Sequence, residues 1–168
     1  DDETVHASVA ARINEIFLEA IRLLDQGPNE EAARFADQLL AVGEDLTVEL
    51  AVAALQAEGV PAAVVDAREI IWTNSDFGAA VPDFESILKL APRNILPVVE
   101  DGRVPVLQGF IGSEAGGATT TLGRGGSDFT ATLLAAALGS PEVVLWTDVD
   151  GIHSGDPDLV GESRVVPD

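Results

Sequence analysis

The densest run of chemistry-bearing residues is Thr119-Thr120-Thr121-Leu122-Gly123-Arg124-Gly125-Gly126-Ser127-Asp128. Glycine lets a backbone approach a ligand closely and adopt positive φ. A helical pattern begins at Ser127, so the run ends at a helix N-terminus, whose free N–H groups and positive dipole end favour an anion. Arg124 adds a planar guanidinium fork suited to a carboxylate or a phosphate. Asp128 falls in the first helical turn, where an acid can also be a simple dipole partner. The structural alternative for the whole run is a glycine-rich turn capped by Ser127, and the entropic cost of so much glycine argues against it. Two phosphate-binding patterns fail here. No glycine–lysine pair exists, which excludes G-x-x-x-x-G-K-[ST], and Asp128 stands where the last glycine of G-x-G-x-x-G belongs.

A second polar run, Thr147-Asp148-Val149-Asp150-Gly151, follows a strand-like segment. Its carboxylates suit a ribose, a metal or phosphate-bound magnesium, or else a turn in which Asp side chains bond local backbone. The calcium-loop pattern fails because His153 occupies its glycine position. Asp156-Pro157 reads as a turn start with the same ambiguity. Gly43-Glu44 sits where a helix is expected to begin, so Glu44 is either a helix-start acid or a ligand-binding one. His6 and His153 have no metal-spaced partner. Trp72 and Trp146 read as packing residues.

These residues need a frame, and the apolar periodicity supplies one. Residues 5–25 carry apolar positions at helical spacing, stopped by Gly27-Pro28, with Pro28 suited to the first turn of the next helix. The pattern continues through Ala32, Phe35, Ala36, Leu39 and Leu40, breaks at Gly43-Glu44-Asp45, and resumes as a third helix over 46–57 closed by Gly59. Residues 60–65 read as a buried strand and 69–73 as a short one; 74–83 is loop chemistry and 84–90 a short helix. Residues 95–99 and 104–111 flank Glu100-Asp101-Gly102 as a hairpin. A helix over 127–138 ended by Gly139 and a strand over 142–146 complete the chain. Alternating strands and helices indicate an α/β domain with a mainly parallel sheet, where ligands sit past the carboxyl ends of the strands.

The 168 residues, 17.5 kDa, fit one domain able to bury a single core. Acids outnumber bases 29 to 9, a net charge of −20, and Lys89 is the only lysine. That excludes the basic footprint of a nucleic-acid binder. At 46% apolar the chain is too hydrophobic for charge-driven disorder, so the acid forms a solvated shell, the lever by which halophilic proteins stay soluble. No apolar run approaches the roughly eighteen residues of a membrane span, and no leader pattern is visible. Cysteine is absent, which removes thiolate metal sites and thiol nucleophiles. Methionine is absent too, and the chain begins Asp1-Asp2-Glu3, as an internal piece of a longer protein would.

Gly109-Phe110-Ile111-Gly112-Ser113, the run from Thr119 to Asp128, and Trp146-Thr147-Asp148-Val149-Asp150-Gly151, in that order, resemble aspartokinase. Gly43-Glu44-x-Leu46-Thr47, Val65-Asp66-Ala67-Arg68 and the loop over 73–83 are similar to that family's pattern as well. The resemblance runs from about Asp37 to the end of the chain. It implies the three-layer α/β/α amino-acid-kinase sandwich with a mainly parallel sheet, here incomplete: one domain over 1–168, with a helical segment 1–42 and a site core 43–168. It also implies transfer of the ATP γ-phosphoryl group to the β-carboxylate of L-aspartate, giving 4-phospho-L-aspartate, in the cytoplasmic synthesis of lysine, threonine and methionine. Magnesium would be bound mainly through the ATP phosphates, and the full-length protein would be a homo-oligomer. By position, Glu44 would contact the substrate amino group. Arg124 would hold its α-carboxylate, helped by Gly125, Gly126 and Ser127. Asp128 would organise the phosphoryl-transfer centre, and Thr147, Asp148, His153 and Asp156 would face the nucleotide.

The sequence also departs from the family. Its opening Lys-Phe-Gly-Gly-Thr strand has no counterpart here, nor has a later lysine of the nucleotide site, nor the C-terminal ACT domains. His153 stands where tyrosine is usual, and Asp158 where a base is common; an acid there repels phosphate. The expectation is therefore a catalytic-domain piece with little kinase activity alone. The alternatives are a non-catalytic aspartokinase-like binding module and a family member with another acceptor, such as glutamate, carbamate or UMP.

Overall fold

A computed structural model describes residues 2–28, 31–147, 151, 153–155 and 159–166. The first helix, α1 (Asp2–Gln26), ends at Gly27, whose φ of 67° is the left-handed geometry of a helix stop. The second, α2, is one continuous helix, Ala32–Ala57, so Pro28 lies ahead of its first turn. The break expected at Gly43-Glu44-Asp45 does not occur. Asp37, Ala41, Val48 and Val52 are buried along one stripe at helical spacing, and packing on both sides of Gly43 outweighs a single glycine's cost in a helix interior.

Strand β1 (Ala62–Val64) pairs in parallel with β2 (Val104–Val106), Ala62 opposite Val104 and Val64 opposite Val106. Between them lie a 3-10 turn (Ala67–Glu69), the 74–83 loop and α3 (Phe84–Glu100). Residues 69–73 do not form a strand, and only isolated bridges at Trp72 and Thr73 remain of it. The expected 95–99 strand is the second half of α3. Ile87, Ala91 and Ile95 form one buried stripe, so the β-branched run continues a helical period through Pro92 and Pro97. The turn at Asp101-Gly102 is real, with φ of 74° at Gly102, but joins a helix to a strand.

A hairpin follows. β3 (Ile111–Ser113) pairs antiparallel with β4 (Thr119–Thr121), and Glu114 closes its turn by accepting from the Gly116 and Ala118 N–H groups at 2.7 and 2.9 Å. The last helix, α4 (Gly126–Leu138), stops at Gly139 as its sequence predicts. No strand forms over 142–146, and Trp146 is 94% exposed rather than packed; Trp72 is also exposed. The helix pairs α1–α2 and α3–α4 each pack on the strands, which gives the helix–sheet–helix layering of a mixed α/β domain. Among the described residues, β1–β2 is the parallel strand pair, and an isolated parallel bridge joins Trp72 to Ser113 of β3. The core joins Ala41 of α2, Val65, Ala67, Ile70 and Ile71, the α3 stripe, Ile111 and Leu122.

Candidate active site

The glycine-rich run spans three pieces of backbone. Thr119 to Thr121 are β4, residues 122–125 form the turn, and Gly126 starts α4. Gly125 is the N-cap with φ of 76°, a left-handed geometry only glycine adopts freely, and no side chain caps this end. Ser127 is therefore inside the helix and not its cap. Gly126 answers a different need: a Cβ there would lie 2.8 Å from the Phe110 ring. Phe110 itself has φ of 68°, an uncommon conformation for a bulky residue, held by its N–H bond to Thr130 and by Leu122 donating to its carbonyl. The residues four positions before Ser127 and Asp128, Gly123 and Arg124, lie outside α4, so these N–H groups have no i−4 helical acceptor. Arg124, Gly125, Ser127 and Asp128 are exposed, so this helix start faces outward.

Glu44 lies in the interior of α2, seven residues from Asp37, and so on the stripe that the helix turns to the strands. It is half-buried. Burial first, and the neighbouring charge of Asp45 second, push its carboxyl above the usual glutamate range. No cation stands beside it among the described residues. It is not a helix-start acid.

Behind the turn, a polar network ties β4 to the rest. Arg68 grips both carboxylate oxygens of Asp45 at 2.8 and 2.9 Å, meets Asp66 at 3.2 Å, and donates to Thr119 Oγ1 at 2.9 Å. Burial works against the Arg68 charge, and the two acids outweigh it and hold its pKa above the ordinary guanidinium value. Gln108 donates to Asp45 at 2.8 Å and accepts from the Ala67 N–H at 3.0 Å. Asp37, only 1% exposed, accepts from the N–H groups of Gly78 and Thr121, both at 2.9 Å, and from Thr121 Oγ1 at 2.7 Å. The Ala80 N–H reaches the Thr121 carbonyl at 2.8 Å, and Thr73 meets Thr120 hydroxyl to hydroxyl at 2.8 Å. The 74–83 loop is thereby sewn to β4. Sequence reasoning missed Asp37, Asp45 and Gln108. The available signal for Asp37 was an acid on the apolar stripe of α2.

A cavity of about 550 Å³ opens between α1, α2 and this network, lined by Arg12, Glu19, Arg22, Asp45, Glu49 and Arg68 among others. None of residues 124–128 lines it. The candidate site is the open surface at the α4 start, and the cavity, lined by Arg68 and Asp45, is separate from it.

The second polar run is described only in part. Thr147 is exposed. His153 forms a bridge with Val165, and its Nδ1 lies 3.4 Å from Ser163 Oγ. Asp148, Asp150, Asp156 and Asp158 lie outside the described residues. Among those described, no three His, Cys, Asp or Glu side chains gather as a metal site would require. No helix among them is long and apolar enough to cross a membrane.

The model of the amino acid kinase family matches residues 4–168. The chain belongs to this family. It is 46% identical over 128 residues to the lysine-sensitive aspartokinase 3 of Escherichia coli, an alignment covering 76% of this chain and 28% of that protein. It is 41% identical over 132 residues to a Thermus thermophilus aspartokinase, covering 78% of this chain and 31% of the relative. The fold matches E. coli aspartokinase III in complex with aspartate and ADP, its R-state, with a TM-score of 0.84 and 37% identity over 94% of this chain and 35% of that one. The T-state of the same enzyme, in complex with lysine and aspartate, gives 0.82. This chain spans about a third of the length of these relatives. Its architecture is that of the family, which bears out the α/β sandwich expected from the sequence.

Proposed function

We propose that this chain is part of the catalytic domain of an aspartate kinase, which moves the ATP γ-phosphoryl group to the β-carboxylate of L-aspartate. The carrying observation is a pair of opposite charges on elements bonded to each other. Glu44 is half-buried with a raised pKa and has no cation beside it among the described residues, and Arg124 stands exposed at the start of α4. An α-amino acid brings an ammonium group, which offsets the cost of the buried Glu44 charge, and a carboxylate, which suits the Arg124 fork and the backbone of Gly125, Gly126 and Ser127. The likeness to an aspartokinase holding aspartate and ADP supports the same reading.

The chemistry asks little of the protein beyond alignment. The β-carboxylate oxygen forms the new bond to the γ-phosphorus, and the bond to the β-phosphate oxygen breaks, releasing ADP. The attacking group is already ionised, so no general base is needed, and catalysis rests on orientation and on stabilising charge in flight. The α4 N–H groups supply fixed positive ends for that charge. Asp128, in the first turn of α4, orders the transfer centre, and Thr147, Asp148, His153 and Asp156 meet the nucleotide. Magnesium would supply charge neutralisation on the phosphates. The family resemblance assigns it mainly to the ATP phosphates, and no step is routed through it.

Titrating the isotope-labelled chain with L-aspartate tests this. The amide resonances of Glu44 and of Gly125, Gly126 and Ser127 should move together and saturate, and L-glutamate should leave them in place. Movement with neither amino acid, or movement confined to other regions, contradicts the reading.

A further inference from the structure

We infer that Asp37 is a positioning residue of the substrate site, holding the turn that carries Arg124 at its working distance from the helix that carries Glu44. This rests on the aspartate-kinase reading of that site. Asp37 is the most deeply buried acid among the described residues, and all its bonds lead to the site's scaffold. Its Oδ2 accepts two backbone N–H groups, one from Gly78 in the 74–83 loop and one from Thr121 at the end of β4. Its Oδ1 accepts the Thr121 hydroxyl. One carboxylate thus clamps three separate segments.

The clamp sits next to the working residues. Glu44 is two turns along the same stripe of α2, about 10 Å at 1.5 Å per residue. Thr121 is three residues before Arg124. The Gly78 carbonyl lies 3.4 Å from where a Cβ of Gly123 would stand, so the segment pinned by Asp37 also backs the turn itself. Removing the carboxylate strands the buried N–H and hydroxyl of Thr121 and unties the exposed Gly78 N–H from α2. The cheapest relief is for β4 and the loop to move off α2, which carries Arg124 away from Glu44.

A purely structural pin would change stability and leave affinity alone. The test compares the wild-type chain with Asp37→Ala, Asp37→Asn and Ile95→Val, the last a core variant remote from the clamp. L-aspartate affinity is measured by calorimetry where each variant is folded, and amide exchange is followed over residues 121–127. Asp37→Ala should weaken L-aspartate by about ten- to a hundredfold, the loss expected when a positioning contact goes, and should speed exchange over 122–127. Asp37→Asn should rescue both, because its carbonyl can accept the two N–H groups while its amide donates to Thr121 Oγ1. Ile95→Val should lower the melting temperature with affinity unchanged. Wild-type affinity in folded Asp37→Ala overturns the inference. Where Asp37→Ala does not fold, Thr121→Val decides: weakened binding supports the inference, and unchanged binding overturns it. A wild-type chain that ignores L-aspartate sinks the substrate reading instead. The clamp is then judged by exchange alone, and acceleration over 122–127 no greater in Asp37→Ala than in Ile95→Val overturns it.

Discussion

At the scale of a single residue, the role proposed for Glu44 sets function against stability. Its folded pKa lies above the ordinary glutamate value because burial disfavours the charge and Asp45 repels it. The folded chain therefore holds this proton to higher pH than the unfolded chain does. Stability falls as pH rises from the ordinary glutamate range through that raised pKa, and the full cost remains at neutral pH. Glu44→Gln should accordingly melt higher than wild type at pH 7, with the gap closing as pH falls into the carboxylate range, and should lose the response to L-aspartate. Melts of both proteins from pH 4 to 8 check this; a lower melting temperature for Glu44→Gln at neutral pH would contradict it. The glycine turn was legible in the sequence because the positive φ of Gly123 and Gly125 restricts residue choice, whereas the roles of Glu44 and Arg124 came from the family resemblance. The sequence did not reveal Asp37, Asp45 or Gln108, whose partners are 23 to 84 residues away along the chain. No local pattern encodes such pairings.

The elements were legible where one period ran uninterrupted and were misread where a breaker residue met a strong buried stripe. Gly43 did not end α2 and Pro92 did not end α3, because Ala41 with Val48, and Ala91 with Ile95, bury on either side of them. Asp83 still marks the start of α3, accepting from the Glu85 and Ser86 N–H groups. The short strands were harder: β1 and β2 have three residues each, and their pairing is set by α3 crossing between them. Continuity of α2 makes a prediction. Gly43 has helical neighbours on both sides, is exposed, and a Cβ there would meet nothing within 4 Å. Gly43→Ala should stabilise the chain by about 0.5–1 kcal/mol, the usual gain in a helix interior. Urea unfolding measures it, and a loss of stability would mean that the helix is broken at Gly43 after all.

Across the whole molecule, the governing quantity is the charge of −20. The ion pairs of α1 and α2, such as Arg12–Glu15, Arg22–Glu19 and Arg34–Glu31, lie largely in solvent, where each contributes at most about 1 kcal/mol. Repulsion among the unpaired acids is the larger effect. Salt shortens the Debye length from about 10 Å at 0.1 M to about 3 Å at 1 M and relieves it. The melting temperature should rise between 0.1 and 1 M KCl, and a fall would place the balance with the ion pairs. The central claim, an aspartate-selective site served by Glu44 and Arg124, is met most directly by unfolding the chain in 1 M KCl with and without saturating L-aspartate, L-glutamate serving as control. A ligand that binds only the folded state at a hundredfold excess over its dissociation constant adds about 2.7 kcal/mol. A rise in melting temperature with L-aspartate alone is the predicted result. A melt that neither amino acid moves, or that both move equally, would contradict it.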